Sequence, residues 1–358
     1  VMPCSALRWL YLAVLPLVST LIADCSDGRY LGACLESVVQ QTYENLQVVL
    51  VDNHSSDDSW DIAQAFQSRY PDRLRIYRND ENIGGSRNHT KACALQDPRS
   101  EYLIYVSSDD MVHPQMVQRC MALMEAHPTV GFVLFHRNAM DTEGKITQEP
   151  PFYDCSCVIP STQQMEVFMM AGIGVATKCF RSRAIDALIG QTGGYLFDIS
   201  GDWFYNFCFA SLCDMGYLQD PLCTYRTHAA NVTSGAIRNL TNSLEHVRML
   251  HAFRELALRF DRPSVAQRFR PAMEKLGTMC LRYCTQLMRE NEPRTATQYL
   301  HLACALKPGI QEADAWQELR RILRLPPGER GAALDAFEAA SPQKRLCSYA
   351  PPAGSIRL

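Results

Sequence analysis

Between Leu17 and His136, short apolar runs alternate with stretches whose apolar residues recur at helical spacing. Leu17 to Ala23 is the first run. Leu31, Cys34, Leu35, Val38 and Val39 then fall on one face of a helix over Tyr30 to Gln41. LQVVLVD is a continuous valine-rich run that ends at Asp52. A helix capped by Ser56 or Asp57 follows and buries Trp60, Ala63 and Phe66. LRIYRN from Leu74 predicts a third strand, Ser86 to Leu95 a helix, and YLIYVS a fourth strand. His113-Pro114 opens the next helix, with Met116, Val117, Cys120, Met121 and Met124 inward. Proline suits a first helical turn, where its missing N–H would be unpaired anyway. GFVLFH is a fifth strand.

This alternation predicts an α/β fold, with a mostly parallel, Rossmann-like central sheet flanked by helices. Open parallel sheets bind ligands at the carboxyl ends of their strands. Asp52 ends the second strand, and Asp109 and Asp110 end the fourth. The polar groups therefore gather on the edge where such a fold puts its site.

From Asp141 to Thr233 the pattern is mixed. DTEGKI reads as a turn between antiparallel strands, and Ser161 to Met170 and Asp202 to Met215 read as helices. Beyond Ser234 the helices lengthen. Met249, Leu250, Phe253, Leu256, Ala257 and Phe260 form one apolar stripe. Further helices run from Pro271 to Glu290 and through ATQYLHLACALKP. The expected organisation is a leader of unclear role over residues 1–14, an α/β domain over 15–235, a helical region over 236–325, and a loosely ordered tail over 326–358. That tail is rich in Pro, Gly and Ala, with a short helix at Ala332 to Ala340.

Composition narrows the classes. Apolar residues make up 47% of the 358 positions and charged residues 20%, as in ordinary globular proteins. A net charge of −3 argues against a general nucleic-acid binder, which carries a basic face. The 15 cysteines contain no C-x-x-C pair, and many fall on apolar faces. They read as reduced, core-filling thiols of a cytosolic protein. Leu7 to Ala23 is apolar, but Pro16 interrupts it and it is short for a membrane span. The sequons at Asn88, Asn231 and Asn239 carry no weight without a secretory context.

Four separated motifs carry the candidate chemistry. The first, LQVVLVDNHSSDDS, ends a strand in a carboxylate, Asp52, which suits an imide N–H donor. The second, NIGGSRNHTKA, sets Gly84 and Gly85 before Arg87 at a helix start, allowing close backbone approach to a ligand. The third is Ser107-Ser108-Asp109-Asp110. The fourth, GDWFYNFCFA, places Asp202 at a helix N-terminus. YRTHAANVT lies downstream with His228. Each acid also has a plain reading as a helix cap or turn residue.

Taken in this order, the motifs resemble family 2 glycosyltransferases, nucleotide-sugar-dependent enzymes of GT-A fold. The resemblance covers Pro16 to Thr233, and the helical C-terminus resembles the appendage of many bacterial members. It implies an inverting, metal-dependent hexosyltransferase using a UDP-sugar. Asp202 would be the general base. Asp109 and His228 would hold manganese or magnesium. Ala23, Asp24, Ser26, Asp52, Asn53, Gly84, Arg87, Ser107 and Ser108 would surround the nucleotide, with Asp52 accepting from uracil. The acceptor, unidentified, would lie under Pro150 to Gly174. The setting implied is bacterial surface-glycan assembly in the cytoplasm, at the inner membrane face, with peripheral membrane association.

The chain departs from the family in three places. Ser107 stands where the first Asp of an Asp-x-Asp is usual, Gly201 replaces the usual acidic neighbour of Asp202, and Cys25 occupies the tyrosine position of Pro-x-Tyr-Asn. These motivate a second reading, a transferase-like protein that binds nucleotide or glycan without transfer. A nicotinamide oxidoreductase would need G-x-G-x-x-G after the first strand, where the chain has ADCSDG. A sugar nucleotidyltransferase would want a basic glycine loop there, and Asp24 and Asp27 have the wrong sign.

Overall fold

The structure, a computed structural model, describes residues 15–170, 177–191, 197, 199–228, 232–340 and 347–358. The expected leader, Asn231 and the 171–174 part of the expected acceptor segment lie outside these residues. The first half of the chain follows the predicted alternation: β1 (Val18–Asp24), α1 (Gly28–Val39), β2 (Leu46–Asp52), α2 (Ser59–Arg69), β3 (Leu74–Arg78), α3 (Gly85–Ala94) and β4 (Tyr102–Ser107). Next come β5 (Met111–Val112), α4 (Met116–Ala126), β6 (Val130–Met140) and β7 (Ile146–Thr147). Then follow β8 (Cys157–Ile159), α5 (Ser161–Met169), β9 (Lys178–Arg181), α6 (Ser182–Gln191), α7 (Gly201–Leu212) and β10 (Asp214–Arg226). The C-terminal part holds α8 (Val232–Arg238), α9 (Thr241–Arg259), α10 (Pro263–Gln267), α11 (Phe269–Arg289), α12 (Pro293–Leu306), α13 (Asp314–Leu323) and α14 (Pro327–Ala340), then β11 (Ile356–Arg357).

The strands join one sheet in the order β11-β8-β10-β6-β9-β4-β1-β2-β3. From β4 to β3 the pairing is parallel, which sets Asp24 opposite Asp52 and Ala23 opposite Ser107. β6 and β10 add a further parallel pair, so the sheet is mostly parallel as expected, with short antiparallel strands at particular places. β9 runs antiparallel between β4 and β6, and β8 and β11 also pair antiparallel. The physical reason is connectivity. Short returns such as the Asp141 turn join antiparallel neighbours, whereas a parallel pair needs a crossover helix.

Alternate side chains of the parallel strands point to opposite faces. Ile22, Val48 and Leu50 pack with the α1 stripe and with Met116, Val117, Cys120 and Met124 of α4. Leu21, Val49, Val51 and Leu103 face the other layer, with Phe204 and Phe207 of α7. That second core continues without a break into Met249, Phe253, Cys280 and Tyr299 of the C-terminal helices. All 14 cysteines among the described residues are unbridged.

Three further boundaries differ from the sequence reading. α4 starts at Met116 rather than Pro114, because Pro114 and Gln115 form a turn in which the Met116 N–H bonds the His113 carbonyl. The helix expected to reach Met215 stops at Leu212, and Asp214 begins β10 instead. The tail expected to be loose is a helix, α14, followed by a segment that returns to the sheet, where Ile356 and Arg357 pair with Val158 and Cys157. No helix among the described residues is long and apolar enough to cross a membrane.

Candidate active site

Asp24 and Asp52 end adjacent parallel strands, and both are buried. Asp52 pairs with Arg78 at 3.0 Å and accepts the Ser55 N–H at 3.2 Å. Asp24 accepts from the Ser55 hydroxyl at 3.1 Å, with the Ser59 hydroxyl also near its carboxylate. Burial, with the charge of Asp27 and then Asp52 beside it, pushes the Asp24 carboxyl up to about 7. Ser26 turns through a left-handed φ of 60° and is exposed at the strand end, next to half-buried Ala23's strand.

An asparagine cluster fixes the next loop. Asn53 is buried; its Oδ1 accepts from Asn79 at 2.9 Å and from the Ile83 N–H at 3.0 Å, while its Nδ2 donates to Asn82. Asn88 donates to the Val51 carbonyl at 2.9 Å. Buried amides with every group paired define one geometry, because leaving one unpaired is costly. The cluster holds Gly84 at φ 83°, where a side chain would be strained, and so starts α3 beside the ends of β1 and β2. Arg87 stands exposed on the first turn of α3, at that same edge.

Asp109 and Asp110 do not cap α4. They form the turn between β4 and β5, and β5 pairs with β10 through Val112–Cys223 and Met111–Thr224. Asp110 accepts the Arg226 N–H at 2.9 Å, and the Arg226 guanidinium donates to the Asp109 carbonyl at 2.9 Å. Arg226 also lies over the Tyr30 ring at 4.5 Å. This lacing brings the His228 Nε2 to 3.0 Å from Asp109 Oδ2, both largely buried. Ser108 donates to Asp27 at 2.6 Å, which ties the turn back to the start of α1, and Ser107 accepts the Asp110 N–H through its carbonyl.

The Asp109–His228 pair suits a divalent cation. A carboxylate and an imidazole at contact distance can share one cation, the carboxylate being the donor type that suits manganese or magnesium. No group of three or more acidic, His or Cys side chains that could enclose a metal occurs among the described residues. An ion here would draw its other ligands from water and phosphate, as magnesium-type sites commonly do.

Asp202 is half-buried on the first turn of α7. Lys178 of β9 is buried beneath it. Its ammonium donates to the Asp202 carbonyl at 3.2 Å and to Asn206 Oδ1 at 2.7 Å. Burial pulls the lysine down to about 8, against the attraction of Asp202. His89 of α3 meets the Tyr105 ring edge-on at 5.3 Å. Its ring lies near Lys178 and Asp202, the lysine favouring the neutral imidazole and the aspartate opposing it, while the residue as a whole keeps exposed surface. Tyr225 lies within electrostatic reach of Asp110, Asp109 and Asp202 together. The four motifs of the sequence therefore converge along one sheet edge. His89 and Arg226 lie within the second motif and the YRTHAANVT stretch, although neither was singled out, whereas Lys178 lies in no motif.

The family model for glycosyl transferase family 2 matches residues 24–185. An uncharacterised glycosyltransferase of Nostoc sp. is 28% identical over 221 residues, covering 60% of this chain and 66% of that protein. Glycosyltransferase GlyG of Streptococcus pneumoniae is 34% identical over 102 residues, covering 28% of this chain. The chain thus spans 66% of the first relative's length and 33% of the second's. Among solved structures, S. aureus TarS residues 1–349 in complex with UDP aligns with a TM-score of 0.55 at 13% identity, over 92% of this chain and 93% of that one. The mannosyltransferase PcManGT of Pyrobaculum calidifontis, in complex with GDP-Man and Mn2+, aligns at 0.50 and 16% identity, over 91% and 87%. The matched residues make this chain similar to glycosyl transferase family 2, and its sheet with flanking helices shares the GT-A fold of these solved glycosyltransferases.

Proposed function

We propose that the protein transfers a sugar from a UDP-sugar to an acceptor hydroxyl by a single inverting displacement. The observation that carries this reading is the contact of a cation-suited pair, Asp109 and His228, together with a helix-terminal carboxylate, Asp202, whose turn sits on Lys178, opposite Tyr105 near the end of the strand that leads to Asp109. Asp202 takes the proton from the acceptor oxygen as it attacks the anomeric carbon, while the bond to the diphosphate breaks. A divalent cation supplies charge neutralisation of the departing diphosphate. Asp52, Asn53 and the Gly84 loop shape the nucleobase side, with Ala23, Asp24, Ser26 and Arg87 around it. The Ser107 and Ser108 hydroxyls stand at the ribose side.

The donor assignment draws on relatives and neighbours. TarS was solved with UDP and with UDP-GlcNAc, and the E. coli protein WfaP, 35% identical over 98 residues, is a UDP-Glc-dependent glucosyltransferase acting on a diphosphoundecaprenol acceptor. That company supports our reading of a role in bacterial surface glycan assembly, with the work done in the cytoplasm near the inner membrane face. The test is UDP release from a panel of UDP- and GDP-sugars with manganese, beside Asp202→Asn. A UDP-sugar should turn over in wild type, and the variant should fall by about 10²- to 10⁴-fold. Calorimetric UDP binding with a flat trace in both proteins would instead support binding without transfer.

A further inference from the structure

The turn that presents Asp202 is held from outside the α/β layers. Glu245 lies on the second turn of α9, half-buried. Its Oε1 accepts the backbone N–H of Ile199 at 2.8 Å and that of Ser200 at 2.8 Å. These two residues lead directly into α7, whose second residue is Asp202. Ser200, at the N-cap position, makes no side-chain capping bond of its own. Gly201 brings no carboxylate to this turn either. The helix N-terminus is thus capped by a carboxylate 45 residues downstream of Ser200.

The geometry is rigidly backed. Glu245, Met249 and Phe253 follow one another at four-residue spacing on the same face of α9. Phe253 stacks on Phe207 of α7 at 3.9 Å, and His246 meets Trp203 at 5.3 Å. All of this lies between α7 and α9, so α9 cannot move without α7. A carboxylate accepting two N–H bonds at a helix start is charge-assisted and also complements the helix dipole.

We infer that Glu245 is a positioning residue for Asp202, and that the C-terminal helices are therefore part of the active-site construction. The inference rests on Asp202 acting as the base, as proposed above. Lys178 donates to the Asp202 backbone carbonyl from beneath, so the backbone that carries the carboxylate is held from two sides. Without Glu245 the two N–H groups turn to water and Asp202 samples more positions. A displacement near 1 Å in a reacting group can cost roughly 100-fold in rate.

The experiment uses the full chain with Glu245→Ala and Glu245→Gln. The amide oxygen of glutamine can still accept both bonds, so that variant serves as the conservative rescue. Expected for Glu245→Ala is a kcat lower by about 10- to 100-fold, with the donor KM within about threefold. Glu245→Gln should stay within about threefold of wild type. Hydrogen exchange of residues 199–206 should quicken about tenfold or more in Glu245→Ala only, while residues 18–24 stay unchanged. Wild-type exchange at 199–206 in Glu245→Ala, or an unaltered kcat where Asp202→Asn is inactive, overturns the inference. If wild type turns over no donor, the base assignment fails separately, and the exchange result alone decides whether Glu245 holds the turn.

Discussion

His228 Nε2 stands 3.0 Å from Asp109 Oδ2 although 119 residues separate them in the chain. The two meet because β5 pairs with β10 and Arg226 bridges the Asp109-Asp110 turn. If this pair holds a cation, His228→Ala should raise the manganese concentration for half-maximal UDP release at least about tenfold. Asp109→Asn should do the same. A manganese titration superimposing on wild type would refute the assignment.

Lys178 should write its own limb into the pH profile. Its folded value lies near 8, below the ordinary 10.5. The ammonium that braces Asp202 is therefore lost as pH rises through about 8, with His89, Tyr105 and Asp202 the groups facing it. Activity of wild type should fall above that pH. The unfolded chain binds more protons between the two values, so stability rises with pH there, and the fall is not unfolding. Lys178→Met should flatten the alkaline limb at a lower plateau, measured as kcat from pH 6 to about 10. A persisting limb would assign it to another group.

Asp24 makes the opposite contribution to stability. Its folded value near 7 exceeds the ordinary 3.8, so the folded protein holds the extra proton. Stability from this group is full below about pH 4 and is lost as pH rises through 7. Asp24→Asn should remove that slope, with thermal stability close to wild type at pH 5 and higher at pH 8. Parallel melting curves at both pH values would contradict the burial argument.

Phe253 lies in the helical region yet packs on α7. Removing it leaves a cavity in a core that runs across both parts of the chain. Phe253→Ala should cost about 3–5 kcal/mol in denaturant unfolding. It should also lower a single shared transition. Two separated transitions, only the second of them shifted, would show that the two parts unfold independently.

Much of the α/β half was readable because its burial is periodic. Val48 to Val51 is apolar on both faces, and the α1 stripe recurs at helical spacing, so those elements emerge from pattern alone. β10 hid because Gly216, Pro221 and its register shifts break any alternation. β9 hid because four residues with a buried lysine do not resemble a core strand. The acids at strand ends could be placed from topology. Glu245 could not, since nothing in a helix pattern marks which polar residue reaches another element. Asn79 read as a strand end and Asn88 as a helix residue, with no sign in the pattern that their amides bond each other and set the shape of the loop between.

The pairing of β11 with β8 bears on how the chain is made. Arg357 reaches Asp154 across 203 residues of sequence, the ion pair sitting beside the strand contact. During synthesis the β8 edge must wait, unsealed, while the whole helical region emerges. An open edge is a template for wrong partners, and closing so long a loop is slow. The shortness of β8, three residues, limits what that exposed edge can template until the last residues of the chain arrive to cover it.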